Sequence, residues 1–311
     1  MNPLVSVFIP AHNPRPDFMR RVLDALEAQT LPRQQWELFL VDNASQARLA
    51  ELYSLDWHPH AAHVREDKLG LTPARLAGIA RCRADLVVMV DDDNVLYPDY
   101  LEQCLRLAAK YPFIGVWGGQ VFGEFEEPEN FYARNFPEYF TVRSFGHDQW
   151  TNRKRDYDIM PIGAGLCARR SVLLRYADIC AADPRRQLLD RTGTRLLTCG
   201  DLDIVFTACD AGFGKALFHE LKLTHLVPRS RLSEAFILGN AEGNQYSATM
   251  QNFLVDGVLP DDRRTFLQSL GRAYRLARMS SLERRQAQAA ENGAREAMAD
   301  MKRWGWLEGP V

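Results

Sequence analysis

The stretch Val87-Val-Met-Val-Asp-Asp-Asp-Asn94 runs an apolar segment straight into three carboxylates and an amide. A short apolar run rich in valine and closed by polar residues reads as a buried strand. That strand spans Leu86 to Val90, and the acidic triplet opens the loop at its carboxyl end. Upstream, the same arrangement occurs twice. Val5 to Ile9 ends in Pro10-Ala-His-Asn-Pro14, and Trp36 to Val41 ends in Asp42-Asn-Ala-Ser45.

Helical patterns lie between these strands. Phe18, Val22, Leu23 and Leu26 fall at helical spacing from Asp17 to Gln29, with Pro32 after the stop. Thr72-Pro-Ala-Arg75 reads as an N-cap with proline at the first helical position, opening a helix to about Cys82. Val64 marks a short further strand, and Tyr97-Pro-Asp-Tyr100 opens another helix. Strands alternating with helices predict an α/β fold with parallel pairing. Ligands of such sheets bind beyond the carboxyl ends of the strands, so the three polar loops predict one shared site.

After Phe113 to Val121 the alternation fails. Glu124 to Arg155 is aromatic and charged without a clean period, which predicts loops with short pieces of structure. Order returns at Ile162-Gly-Ala-Gly-Leu-Cys-Ala168, followed by a helix from about Arg170 and a loop from Ala181 to about Gly193. A helix from Asp201 to Ala211 and strand-like segments at Ala216 to Phe218 and Lys222 to Val227 come next. From Leu232 onward the pattern is helical and charged. The expected division is a first domain over residues 1–231 and a C-terminal helical extension over 232–311.

Composition narrows the partners. At 311 residues and 46% hydrophobic, the chain can bury a substantial core, and a net charge of -2 supplies no global attraction for nucleic acid. The six cysteines contain no Cys-x-x-Cys pair, the pattern of reduced thiols in a cytoplasmic protein. Leu4 to Pro10 is too short for a leader, and no run approaches the roughly 20 apolar residues of a membrane span. The expected location is cytoplasmic. Lys302-Arg-Trp-Gly-Trp306 offers either peripheral contact at the inner membrane face or a packed terminal helix. No oligomeric state follows from the sequence.

Asp91 and Asp93, one residue apart at a strand end, can place two carboxylates around one divalent cation when the local turn reorients the chain. Hard oxygen ligands suit Mg2+ or Mn2+, which also bind substrate phosphates. A solvated acidic loop ahead of the next helix is the alternative.

Several ordered motifs resemble family 2 glycosyltransferases of the GT-A fold. Val5 to Asn13 resembles the opening strand and loop, Leu40 to Ser45 the second strand with its nucleotide-contacting aspartate, and Leu69 to Ile79 the segment ahead of the metal motif Asp91-Asp-Asp93. The resemblance covers Leu4 to Pro228. It implies a GT-A, Rossmann-like sheet for nucleotide-diphospho-sugars, flanked by helices and followed by a C-terminal helical appendage. It further implies an inverting, metal-dependent transfer from a UDP- or dTDP-sugar to a glycan or lipid-linked acceptor, as in surface polysaccharide synthesis.

Residue roles follow from the same resemblance. Pro10 and Asn13 would line the nucleotide cleft, Asp42 would accept from the N3 donor of uracil or thymine, Arg75 would meet the diphosphate and Asp92 the ribose. Asp91 and Asp93 would hold the cation, with His225 as a third ligand. Asp201, in Thr198-Cys-Gly-Asp-Leu-Asp-Ile204, would be the general base. The family pattern carries an acidic pair there, whereas this chain has Gly200 at the first position. Gly163, Ala164 and Gly165 would let backbone approach the acceptor side. Each residue also has a structural role open to it: an Asx turn for Asp42, a helix cap for Asp201, packing for His225. Two other activities remain open. A sugar-phosphate nucleotidyltransferase would release pyrophosphate, and a non-catalytic module would bind nucleotide-sugar without turnover.

Overall fold

The computed structural model describes residues 2–191, 196–259, 274 and 276–307. The strands are β1 (Val5–Ala11), β2 (Trp36–Asn43), β3 (Ala61–Glu66), β4 (Leu86–Met89), β5 (Asn94–Leu96), β6 (Ile114–Phe125), β7 (Gln149–Thr151), β8 (Cys167–Arg169) and β9 (Gly214–Val227). The helices are α1 (Pro16–Glu27), α2 (Leu49–Leu52), α3 (Leu71–Arg81), α4 (Tyr100–Lys110), α5 (Phe131–Asn135), α6 (Arg170–Ala182), α7 (Gly200–Asp210), α8 (Glu234–Asp256) and α9 (Ser281–Arg303).

Every residue of β1, β2 and β4 is buried, the mark of parallel strands covered on both faces. Alternation within β4 explains the opening apolar run. Val88 and Val90 enter one core with Met19, Val22 and Leu101, while Val87 and Met89 enter the other with Ile79, Val172 and Ile204. Burying each such side chain contributes about 1.5–3 kcal/mol. Neither core would close without this two-sided strand. In α1, Met19, Val22, Leu23 and Leu26 form one buried stripe, and Pro16 opens the helix.

Among the described residues the sheet runs β3-β2-β1-β4-β8-β6-β9-β5, with β7 beside β9. The first four strands are parallel; β8 is antiparallel to both β4 and β6. The chain leaves β1 toward β2 and returns on its other side as β4. Loops after β1 and β4 therefore part at a switch point, which opens a crevice there.

Three details differ from the sequence reading. The third helix starts at Leu71 rather than after Thr72, because Gly70 takes φ 143° at the N-cap and donates to Asn43 Oδ1 at 2.8 Å. The segments at Ala216 to Phe218 and Lys222 to Val227 belong to one strand, β9, whose pairing with β6 shifts register between Gly118 and Gln120. A three-residue strand, β5, separates Asp93 from α4. The expected loop end near Gly193, and the part of the C-terminal helical reading over 260–273, lie outside the described residues.

Between α2 and β3, His58 is buried with its ring 4.1 Å from Trp36 and 5.3 Å from Trp57. Burial, reinforced by His60 and Arg33, lowers its pKa to about 4. Folding therefore requires the neutral ring. Stability should be fully present above the unfolded value near 6.5 and decline as pH falls toward 4, by on the order of 1–2 kcal/mol between pH 7 and 5. Urea denaturation at those two pH values checks this: His58→Phe should flatten the difference, and an equally steep loss in the variant would contradict the assignment.

Candidate active site

A cavity of about 430 Å³ lies where the loops after β1, β2 and β4 meet. Pro10 enters from β1, Asn43 from β2, Asp91 to Asp93 from the end of β4, His225 from β9 and Asp201 from the first turn of α7. Residues more than 200 positions apart thus face one space.

The acidic triplet is mostly buried. Burial, then the neighbouring carboxylates, pushes Asp92 well above the ordinary carboxylate range; burial also raises Asp91, against the opposing pull of Arg75. Asp93 is different. Burial works to raise its pKa, but His225, Arg231 and Arg191 outweigh burial and hold it below the usual range. Its Oδ2 lies 3.3 Å from His225 Nε2 and 3.3 Å from Arg231 Nη2.

His225 is oriented from behind. Its Nδ1 donates to the Phe140 carbonyl at 2.7 Å, since a carbonyl can only accept. The neutral ring then presents a bare Nε2 lone pair beside Asp93 and Arg231, and the imidazolium presents an N–H. This is the outer support typical of a metal-binding histidine. The donors present suit Mn2+ or Mg2+: carboxylate oxygens and one imidazole nitrogen facing a polar cavity. Among the described residues no three His, Cys, Asp or Glu side chains form a ligand cluster by themselves, so the remaining ligands would come from substrate phosphates and water.

Asp201 sits in the first turn of α7, where the helix dipole favours a carboxylate. Its Oδ2 accepts from the Gly163 N–H at 2.8 Å and its Oδ1 from the Leu202 N–H at 2.9 Å. Two residues earlier Cys199 adopts φ 81°, a left-handed conformation that costs a β-carbon residue roughly 1–3 kcal/mol. Asp203 points away from the cavity and pairs with Arg186, tying the segment before α7 to its first turn.

Of the residues singled out in the sequence, Pro10, Arg75, Asp91, Asp92, Asp93, Gly163, Ala164, Asp201 and His225 line this cavity; Asn13, Asp42 and Gly165 do not. Asn13, at φ 48°, accepts from the Gln46 N–H and braces the loops after β1 and β2. The buried Asp42 carboxylate accepts from Ser45 N at 3.0 Å and Leu49 N at 3.1 Å and pairs with Arg65 at 2.8 Å, which forms the Asx turn into α2. Gly165, at φ 65°, lies behind the wall, its carbonyl held by Tyr100 Oη at 2.6 Å. Arg75 is buried and paired with Asp190, so its guanidinium is committed within the wall.

Sequence reasoning missed Asp190, Arg191, His12, Asn240 and Asn244, all of which line the cavity. Asp190 and Arg191 sit in an irregular segment, and the asparagines lie inside a long helix, so no motif marked them. Arg229 and Arg231 read in the sequence as either diphosphate contacts or decoration of a helix start, and of the two Arg231 lines the cavity.

A mixed sheet flanked by helices, with an acidic strand end and a crevice of carboxylates and arginines at its switch point, is the GT-A arrangement. Structural comparison agrees: a mannosyltransferase from Pyrobaculum calidifontis, described in complex with GDP-Man and Mn2+, superimposes with a TM-score of 0.56 at 18% identity, covering 100% of this chain and 77% of that one. Residues 6–175 match glycosyl transferase family 2, and the chain belongs to that family. The glycosyltransferase AglE of Haloferax volcanii is 24% identical over 225 residues, 70% of this chain and 66% of AglE. EpsH of Bacillus subtilis strain 168 is 30% identical over 110 residues, 34% of this chain and 30% of EpsH. The matches thus span just under two thirds of the first relative and less than a third of the second. Among the described residues no helix is long and apolar enough to cross a membrane.

Clustering three carboxylates has a cost that stability should report. A carboxyl whose folded pKa is raised destabilises the fold as pH climbs above its unfolded value, so in chelator Asp92→Asn should raise Tm at pH 8 by at least roughly 2–4 °C, with a smaller gain at pH 5. Thermal denaturation in EDTA measures this. A variant less stable than wild type at pH 8 would show that the cluster is not under charge strain.

Proposed function

We propose that the protein transfers a sugar from a nucleoside diphosphate donor to a hydroxyl of a glycan or lipid-linked acceptor, with inversion at the anomeric carbon and Asp201 as general base. The observation that carries this reading is the convergence of Asp201 with Asp91, Asp93, His225 and Arg231 on one cavity. An acid-rich strand end beside the guanidinium of Arg231 suits a diphosphate and its cation; a carboxylate on the same cavity suits the hydroxyl that attacks.

Asp93, with Asp91 or His225 beside it and with phosphate and water completing the shell, would hold Mn2+ or Mg2+, which when bound supplies charge neutralisation for the departing diphosphate. Family membership and the Mn2+ complex of the Pyrobaculum enzyme support that assignment. Arg191 and Arg231 would bind phosphate oxygens, a task that Arg75, buried with its partner Asp190, is less suited to. Asp92 would meet the ribose, and Gly163 and Ala164 would line the acceptor side. Two backbone N–H groups orient the Asp201 carboxylate while leaving lone pairs for the acceptor hydroxyl. As the hydroxyl oxygen bonds to the anomeric carbon, its proton passes to Asp201 and the bond to the diphosphate oxygen breaks. The resemblance implied UDP or dTDP through Asp42, whose oxygens are here taken by Ser45, Leu49 and Arg65, and GDP-Man in the neighbouring structure adds GDP to the nucleotides worth testing. Peripheral membrane contact through Lys302 to Trp306 belongs to the same reading, for lipid-linked acceptors.

Titration calorimetry with UDP, dTDP and GDP, each with Mn2+ or with chelator, separates the components. Binding of the preferred nucleotide should require the cation, and Asp93→Ala should lose the cation-dependent part. Equal affinity with and without cation would remove the metal assignment. Single-turnover transfer then tests the base: Asp201→Asn should keep donor affinity while transfer falls by about 10²- to 10⁴-fold. Near-normal transfer by that variant, or pyrophosphate release from a nucleoside triphosphate by the wild type, would overturn the proposal.

A further inference from the structure

Asp201 is flanked by two glycines, and at each the volume of the missing side chain is taken by one half of a single ion pair. Gly200 precedes it, and a Cβ there would lie 2.1 Å from Asp190 Oδ2. Gly163 donates to Asp201 Oδ2, and a Cβ there would lie 2.7 Å from Arg75 Nη2 and 3.6 Å from Asp201 Oδ2. Arg75 and Asp190 bind each other, and both are almost wholly buried, at 3% and 4% exposure. Neither group can swing into solvent to make room. Gly200 is not among the positive-φ residues, so its backbone does not demand glycine. Space for the Asp190 carboxylate demands it.

We propose that the Arg75–Asp190 pair is a clamp that positions Asp201, with Asp190 delivering to the start of α7 the carboxylate that position 200 lacks. The proposal rests on the reading of Asp201 as the base. Asp190 closes on Gly200, the residue before the base; Arg75 closes on Gly163, the donor that fixes the base's Oδ2. The guanidinium also lies within the fields of Asp201 and Asp91, so one cation compensates carboxylates that would otherwise repel across the cavity. The departure from an acidic pair in sequence is thereby restored in space, from a residue ten positions upstream.

Relocating the carboxylate tests this. Asp190→Ala should accelerate amide hydrogen exchange of the segment containing Gly163 by about tenfold or more, and should lower single-turnover transfer by about 10²-fold, the scale of a 1 Å misplacement. Nucleoside diphosphate affinity should change little. Asp190→Ala combined with Gly200→Asp should recover most of both losses, because the new carboxylate fills the vacated volume. If Asp190→Ala does not fold, Asp190→Asn keeps the volume while weakening the pair, and it should show the same exchange change in a smaller degree. A folded Asp190→Ala protein with unchanged exchange at Gly163, or a double variant that recovers stability without recovering transfer, would overturn the clamp. If the wild type transfers no sugar from UDP-, dTDP- or GDP-linked donors, the base assignment fails while the exchange arm still decides the clamp.

Discussion

One buried guanidinium sets the terms for the rest of this site. Arg75 lies on α3 within the fields of Asp190, Asp201 and Asp91. Burial alone would lower its pKa, yet the three carboxylates outweigh that and keep the cation charged. The dependence runs both ways: the carboxylates can be buried together because the guanidinium is there. α3 must therefore pack closely on the sheet, and the tight N-cap at Gly70, held by Asn43 from the end of β2, fixes where it begins.

The second organising element is β9. Among the described residues it is the longest strand, pairing with β6 along most of its length and also with β5 and β7. Asn94 on β5 lies opposite His225 on β9, so the acidic loop is anchored immediately after Asp93 to the strand that carries the histidine. The Leu226 N–H also donates to the Asp93 carbonyl at 2.9 Å. Asp93 and His225 are thus neighbours by sheet register, 132 residues apart in sequence.

This division explains what could be read in advance. The first ninety residues repeat strand, polar loop and helix, so local hydrophobic pattern located β1, β2, β4 and the cavity's acidic rim. Asp201 was visible because its motif opens a helix. Arg75 was visible as a residue, but its partner was not, because Asp190 lies in an irregular segment and touches its neighbours only through the fold. The segment from Glu124 to Arg155 had no period to read, yet it supplies Phe140, whose carbonyl orients His225. Asp42 shows the opposite limit. Its place at the end of a buried strand could be read, and only three-dimensional packing revealed that Ser45, Leu49 and Arg65 claim its oxygens.

The C-terminal helices bear on the residues that lead to Asp201. Thr198 N donates to Ser247 Oγ at 3.0 Å, and Gln251 Nε2 reaches the Cys199 carbonyl at 3.4 Å, so α8 grips the two residues leading into α7. Gly243 allows that approach, since a Cβ there would lie 2.2 Å from the Leu196 carbonyl. α9 backs α8 in turn: Tyr246 donates to Asp300 at 2.8 Å, and a Cβ on Gly293 would collide with the Glu242 carbonyl. The left-handed strain at Cys199 is held by these contacts rather than relieved locally. A carboxylate at a helix start keeps a fixed position only if its helix is pinned at the first turn, where the backbone N–H groups lack intrahelical partners. Here α8 holds Thr198 and Cys199 while Asp190 packs against Gly200, so residues far from any recognisable motif surround the start of the helix that carries Asp201.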